Sequence, residues 1–358
     1  MCSSDGGSVP SFAAQSPEID RGQAAQYLSL LAQAESVLRG PSPEAWFDRL
    51  DREHDTLRGT LRWCLECGRI EEGLQAGGAV WPFWQNRGHI PEGRKWLAAL
   101  LSAPSAERQT LGRAKALVGA GTLAFLQSDR EAARSSFQES LAIFRSLDDA
   151  RGIADALIGL ARVALLQGDH VEMRRLSEES RSLARAVADR QREAIALHHI
   201  VESMRRQGEV ADVIRPLYHE SLALHRETRD RRGVALELHN LANVERRAGN
   251  LQEAMALFTE SLVMFRDMNS KRHMAYCFMG LGNVAAARGQ SHLAARFLGV
   301  CDALFGATGV TPDPDYRPDY ERSTALARSA LGEFGFKAAY DEGRVMTLEQ
   351  AVKSALVV

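Results

Sequence analysis

Arginine side chains recur at fixed distances before short turns in the middle of this chain. They stand two, three or six residues before a glycine that is followed by a polar residue. A guanidinium group binds a carboxylate or a phosphate through two parallel hydrogen bonds. The pattern therefore predicts a face that binds an anionic or peptide-like ligand. The arginines are Arg162, Arg205, Arg206, Arg246 and Arg247, and Glu202 is the acid nearest to them.

A second interpretation of the same arginines stays open at this level. They would form a solvated helix face and pair with neighbouring glutamates, as surface charges on helices commonly do. The sequence alone does not separate this interpretation from ligand binding.

Other residue types that do chemistry lack the partners that the chemistry needs. Cys64 and Cys67 form a CxxC without a second Cys or His pair, so helix-end packing is favoured over a zinc site. His198 and His199 are adjacent and would point to different faces of a helix. No Ser/His/Asp or Cys/His arrangement has a local signature. We therefore expect no catalytic site, no metal and no cofactor, and the four tryptophans near the N-terminal units are expected in the local core.

The elements that position the arginines repeat along the chain. Similar turns recur at a nearly constant spacing, which is too regular to arise by chance over six turns. Apolar and small residues precede each turn at helical spacing, as in Val234–Asn250, and this pattern predicts pairs of amphipathic helices. Few prolines and no clean alternating strand indicate an all-α protein. The residues at the turn positions are Gly88, Ser128, Gly168, Gly208, Gly249 and Gly289.

These positional classes resemble the tetratricopeptide repeat (TPR), a helix-turn-helix unit that stacks into a right-handed superhelix. The resemblance covers residues 70–306 and implies about six helix pairs. The spacing of the turns here is longer than the usual TPR period, so the helices or their connections must be longer than in a typical unit. The units at 150–189 and 190–229 depart from the pattern at the expected small or aromatic positions.

The TPR resemblance also implies which residues face the concave groove. In such repeats the first helix of each pair lines the groove, and asparagine on that helix holds a peptide backbone in peptide-clamping members. This implies a peptide-holding role for Asn243 and Asn283. The candidate ligand-binding residues are Arg162, His198, Glu202, Arg205, Arg206, His239, Asn243, Arg246, Arg247 and Asn283.

A more specific resemblance covers nearly the whole chain from about Ala24. The segments WFDRLDREHDTLR at 46–58, EGRKWL at 92–97 and LEQAV at 348–352 look like the C-terminal helical region of bacterial signal-transducing (STAND-type) ATPase regulators. That resemblance implies a non-catalytic sensor or scaffold module in bacterial transcriptional regulation. The sequence contains no GxxxxGK[ST] phosphate loop and no DNA-reading helix-turn-helix, so only the sensor part is implied.

Two rival functions stay open beside the regulator sensor. One is a free-standing peptide receptor of the quorum-sensing kind, which also uses TPR units. The other is an enzyme built on a helical scaffold. The implied partners are a protein or peptide ligand in the groove and a nucleotide-binding regulator domain.

The chain is expected to divide into five segments. These are a disordered tail at 1–20, a helical lead-in at 21–69, repeats at 70–306, a proline-rich linker at 307–318 and capping helices at 319–358. We expect one long helix from about Pro43 to Gly68. The closing helices are expected at 319–334, 337–343 and 348–356, with a capping box of Thr347 and Gln350 on the last.

Composition indicates where this protein works. A net charge of −2 gives no drive towards nucleic acid or an anionic membrane. The sequence has no run of about 18 apolar residues, so no membrane span is predicted. The N-terminus lacks the basic and apolar parts of a secretory signal. Five scattered cysteines indicate reduced thiols. We therefore expect a cytoplasmic protein without direct DNA or membrane contact.

Overall fold

The computed structural model describes residues 13, 16–38, 40, 43–104, 108–308 and 312–357, and this part of the chain is helical, as predicted. It forms two compact units, Met1–Gly208 (unit 1) and Glu209–Val358 (unit 2). Within the described ranges, no helix is long and apolar enough to cross a membrane. Most of the predicted tail at 1–20 lies outside the described residues.

Unit 1 contains ten helices in its described part. They are α1 (Arg21–Leu38), α2 (Glu44–Arg52), α3 (His54–Glu66), α4 (Ile70–Asn86), α5 (Ile90–Leu101), α6 (Leu111–Leu126), α7 (Arg130–Ser146), α8 (Ala150–Leu166), α9 (His170–Ala186) and α10 (Arg190–Arg206).

Unit 2 contains seven helices in its described part. They are α11 (Ala211–Glu227), α12 (Arg231–Ala248), α13 (Leu251–Asp267), α14 (Lys271–Ala287), α15 (Ser291–Thr308), α16 (Arg317–Val345) and α17 (Leu348–Leu356). A short 3-10 turn, Pro314–Tyr316, precedes α16.

The long repeat period comes from long helices. Helices α7 to α10 each have 17 residues, and only three residues separate one helix from the next. Each of these helices starts with an aspartate whose side chain accepts a hydrogen bond from a backbone N–H of the first turn, which satisfies an otherwise orphaned donor. These N-caps are Asp129, Asp149, Asp169 and Asp189.

The turns use the left-handed backbone region that glycine tolerates best. Gly168 has φ 73° and Gly249 has φ 87°. Ser128 adopts φ 61° in the same role, so its predicted equivalence to glycine is confirmed. The turns that precede the first helix of a pair instead have non-glycine residues in the left-handed backbone region. Asp148 and Ala188 are examples.

Small residues let successive helix pairs pack closely, and buried serines link the two helices within three of the pairs. In unit 1 a Cβ on Gly159 would lie 2.4 Å from the Phe137 ring, so only glycine admits the ring there. Three serines on second helices donate to carbonyl oxygens on the first helices of their own pairs, each at the same sequence separation. The pairs are Ser140 with Ala114, Ser180 with Ala154 and Ser261 with Ala235.

The predicted long helix at 43–68 is wrong, because the chain breaks at Glu53. This residue has φ −101° and ψ 16° and separates α2 from α3. The break lets His54 and Arg58 at the start of α3 bind Glu92 on α5, at 3.0 Å and 2.7 Å. No glycine or proline marks this break in the sequence. The expectation for the local core is confirmed for Trp84 and Trp96, which are buried.

The end of unit 2 also differs from its prediction. The structure breaks α16 at Gly332 (φ 69°, ψ 167°) rather than between Phe334 and Lys337. A left-handed φ with an extended ψ suits only glycine. The capping box of Thr347 and Gln350 is present on α17, as predicted.

The cysteines are not all reduced thiols. Cys64, Cys277 and Cys301 are free and buried. Cys67 is disulfide-bonded, so the expectation of reduced thiols is wrong for this residue. The scattered positions of the cysteines in the sequence gave no sign of the pairing.

Candidate ligand-binding faces

The ten candidate residues divide between the two units, so each group is described by itself. In unit 1, α6, α8 and α10 are the first helices of successive pairs, and α8 contacts both α6 and α10. Arg162 on α8 is half-buried, and its guanidinium carbon lies 4.2 Å from the centre of the Phe125 ring on α6. This distance fits a cation–π contact. The inner-helix positions of α6 and α8 therefore meet as the repeat register predicts.

Glu202, Arg205 and Arg206 form an ion triad on α10. Arg205 donates to both carboxylate oxygens of Glu202 at 2.6 and 2.8 Å, and Arg206 donates at 2.7 Å. The three side chains are between 11% and 14% exposed. Burial raises the pKa of the Glu202 carboxyl, but the two guanidinium groups outweigh it and bring the pKa to about 2. Two guanidinium groups therefore share the Glu202 carboxylate.

A histidine pair adjoins these charges. The rings of His198 and His199 lie 5.2 Å apart. Burial, and after it the charges of His198 and Arg162, hold the pKa of His199 well below its usual value. The folded protein therefore favours the neutral form of His199 beside the guanidinium groups. Lys115 on α6 pairs with Glu35 of α1 at 2.7 Å.

In unit 2, His239 and Asn243 are buried on α12. The Asn243 amide nitrogen donates to the His239 carbonyl oxygen at 3.1 Å and lies 3.2 Å from His239 Nε2. The Tyr316 hydroxyl lies 3.4 Å from the same nitrogen. Tyr276 on α14 and Phe258 on α13 surround the imidazole ring at centroid distances of 6.3 and 5.3 Å. These polar groups contact each other and the chain's own Tyr316.

Arg246 and Arg247 in unit 2 pair with Asp319 at the start of α16. Arg247 lies 3.3 Å from the Asp319 carboxylate, and Arg246 donates to the same oxygen. Burial raises the pKa of the Asp319 carboxyl, but the two guanidinium groups together lower it by more than burial raises it. The net shift of this pKa is therefore downward. Asn283 on α14 is buried, and its side-chain oxygen has no hydrogen-bond partner in the described structure.

Sequence reasoning missed the residues that cover this face. Tyr316 lies in the expected proline-rich linker, and Asp319 directly follows it. Each is more than 70 positions from the histidine or the arginines that it contacts. Their only sequence signal is the acidic and aromatic composition of PDPDYRPDY. Arg205 and Arg206 pair with a neighbouring glutamate, as the second interpretation anticipated, whereas Arg246 and Arg247 pair with a distant aspartate. Ligand binding by the ten candidates stays a prediction.

A metal cluster was not expected, and among the described residues one group has suitable spacing. The ligand atoms of His54, His89 and Glu92 lie within 4.8 Å of one another. Arg58, however, donates to both oxygens of Glu92, at 2.9 and 2.7 Å. A guanidinium group so placed would repel a cation. We therefore assign this cluster to the packing of α3 against α5.

The repeat geometry defines a class, the tetratricopeptide-repeat fold. Residues 112–186, which span α6 to α9, match the family model described as a tetratricopeptide repeat. No sequence among the curated proteins is significantly similar to this chain.

Solved structures with this fold include two complexes and a signal transduction ATPase. NprR in complex with its cognate peptide NprX is 12% identical, with 92% of this chain and 90% of that chain covered and a TM-score of 0.56. A Rap protein complexed with competence and sporulation factor is 13% identical, with 94% and 95% covered and a TM-score of 0.51.

A third similar structure is a Signal Transduction ATPase with Numerous Domains (STAND) protein with a tetratricopeptide repeat sensor from Pyrococcus horikoshii. It is 12% identical, with a TM-score of 0.55, and the match covers 95% of this chain but 54% of that chain. At these identities the likeness shows the fold alone.

Proposed function

We propose that this protein is a non-catalytic peptide- or protein-binding module that recognises an anionic segment on the inner face of unit 1. The observation that carries the proposal is the grouping of three guanidinium side chains on neighbouring inner helices there. Arg205 and Arg206 share one carboxylate, and Arg162 adds a further charge on the neighbouring helix. An incoming carboxylate would gain charge-assisted hydrogen bonds from groups already held in position.

The cellular role that we propose is sensing within bacterial transcriptional regulation, in the cytoplasm. It is supported by the similarity to a STAND protein in which a tetratricopeptide repeat sensor occurs and by the sequence segments that resemble such regulators. Ligand binding would favour one arrangement of the repeats and change contacts with a nucleotide-binding regulator domain.

A free-standing peptide receptor is the second candidate. NprR and the Rap protein are solved with a peptide or signalling factor, and each match covers at least nine-tenths of both chains. The two candidates share peptide binding and differ in the attached partner. Co-purification with a phosphate-loop ATPase from the native cell would favour the regulator sensor.

The binding proposal is tested with fluorescein-labelled decapeptides of equal length that carry glutamate, serine or lysine side chains. We expect the acidic peptide alone to raise fluorescence anisotropy, with an affinity that falls as salt screens the charges. Loss of a hydrogen bond to a charged group costs about 1.5–3 kcal/mol. Arg162→Ala or Arg206→Ala should therefore weaken binding at least about 10-fold.

Arg175→Ala is the matched control, because Arg175 lies on the outer helix α9 and is 59% exposed. It should bind the acidic peptide like the parent protein. Equal binding of acidic and basic peptides, or unchanged binding by both inner-face variants, would refute the proposal.

A further inference from the structure

In unit 2 the chain's own segment Asp313–Tyr320 occupies the inner face of α12 and α14. The Asp313 backbone N–H donates to the Tyr276 hydroxyl at 2.9 Å. The Tyr316 ring lies 4.9 Å from the Tyr276 ring, and its hydroxyl approaches His239. Asp319 then pairs with Arg246 and Arg247. The segment therefore meets the aromatic, imidazole and guanidinium groups of this face in turn.

The apolar side chains that this segment packs against the core of unit 2 are Tyr316 and Tyr320, and both are half-buried. Between Arg317 and Leu331, the first half of α16 buries only the side chains of Ser323 and Ala327. These side chains remove little apolar surface from water, and the free energy of burial scales with that surface. Leu326 remains 50% exposed. Besides Asp319, the first half is held by the Tyr320 hydroxyl, which donates to Asp302 on α15 at 2.6 Å.

The second half of α16 is anchored far more firmly. A Cβ on Gly343 would lie 2.0 Å from the Arg296 carbonyl oxygen, and one on Gly299 would lie 2.1 Å from the Tyr340 carbonyl oxygen. The two backbones are therefore in direct contact. Gly332 separates the halves with its non-helical conformation, so the two halves are separate helical segments with separate contacts.

The segment also leaves hydrogen-bonding capacity unused on the face that it covers. The side-chain oxygen of Asn283 and the Nε of Arg246 are buried and lack a partner in the described structure. An unsatisfied buried polar group costs stability. An occupant whose backbone reached Asn283 would recover that loss.

We propose that this inner face is the binding site for an acidic, tyrosine-containing peptide of a partner protein, and that residues 313–320 occupy the site until that peptide displaces them. The inference rests on the proposed peptide-binding function and adds a second site, with its own ligand chemistry and an intramolecular competitor. Arg246 and Arg247 would take an aspartate, His239 and Tyr276 a tyrosine, and Asn283 a backbone N–H.

The test uses the full chain and a labelled peptide with the sequence of residues 312–322, PDPDYRPDYER. A tethered segment competes at an effective concentration in the millimolar range, so the parent protein should bind this peptide poorly. Tyr316→Ala/Asp319→Ala weakens the competitor, and we expect binding at least about 10-fold tighter. The same peptide with Asp319→Asn should bind the double variant at least about 10-fold more weakly.

Glu321→Ala is the matched control, because Glu321 belongs to the same stretch of chain but is exposed and pairs with Arg317. It should bind the peptide like the parent. Adding Arg246→Ala to the double variant should remove binding. Equal binding by parent and double variant, or none by either, would overturn the proposal.

A second measurement covers the case in which the double variant does not fold. Excess peptide is added to the parent protein, and hydrogen exchange is followed over residues 313–331. Faster exchange there, with unchanged exchange at 336–345, supports displacement, whereas unchanged exchange in both overturns it. Arg162→Ala and Arg206→Ala should leave these results unaltered, so failure here is distinguishable from failure of the unit 1 site.

Discussion

The inner-helix arginine pairs of the two units find their acids in different ways. In unit 1, Arg205 and Arg206 bind Glu202, which lies three and four residues earlier on the same helix. In unit 2 the equivalent position holds Asn243, and Arg246 and Arg247 bind Asp319 from a distant segment. Where an amide stands in place of the acid, the arginines pair with another part of the chain. The same repeat position closes a local triad in one unit and docks a distant segment in the other.

The largest effect is expected from removing the local acid in unit 1. Glu202→Ala leaves two largely buried guanidinium groups without their carboxylate, and breaking a buried ion pair costs about 3 kcal/mol or more. Chemical denaturation followed by circular dichroism measures the loss. Glu178→Ala is the control, since Glu178 is 51% exposed and pairs with Arg174 on the same helix, α9. It should cost less than about 0.5 kcal/mol. Equal losses would show that the triad does not stabilise unit 1.

Acid should weaken unit 2 through His273. Burial, then the charges of Arg232 and Arg272, lower the pKa of His273 to about 3, so the folded protein keeps this ring neutral while the unfolded chain protonates it near its usual pKa of 6.5. Stability is therefore present above pH 6.5 and lost as the pH falls from there towards 3. Between pH 7 and 5 the loss is about 2 kcal/mol.

His273→Gln should flatten this part of the pH profile, as measured by denaturant midpoints at each pH. His199→Gln removes a histidine of unit 1 whose pKa is also lowered. The two variants thus compare the acid sensitivity of the units. A profile that keeps its slope in His273→Gln would contradict the assignment to this residue.

The smallest expected effect lies at the end of unit 2. Thr347→Ala removes the side-chain acceptor of the capping box on α17, and loss of such a cap costs about 1 kcal/mol. Hydrogen exchange should accelerate over residues 348–356, whose Ala351 and Val352 are buried. Thr347→Ser keeps the hydroxyl and should behave like the parent. Unchanged exchange in Thr347→Ala would mean that packing alone holds this helix.

The repeat pattern predicted the helix pairs because glycine turns and helical apolar spacing are local signals. The break at Glu53 was not predictable, since only the distant Glu92 explains where α3 must start. Likewise, no local signal shows that Asp319 reaches Arg246. Contacts between segments far apart in sequence decide whether an inner face is open or covered.

The equal lengths of helices α7 to α10 have a consequence for how this chain can gain or lose material. A 17-residue helix and the short turn after it form one module, and successive modules alternate between the inner and outer layers. Deletion of the segment 150–189, which removes α8 and α9 together, would rejoin Asp149 to Arg190 with an inner helix again following an outer one. Deletion of a single module would send each later helix of unit 1 into the opposite layer. Duplication and loss in this chain should therefore proceed by pairs.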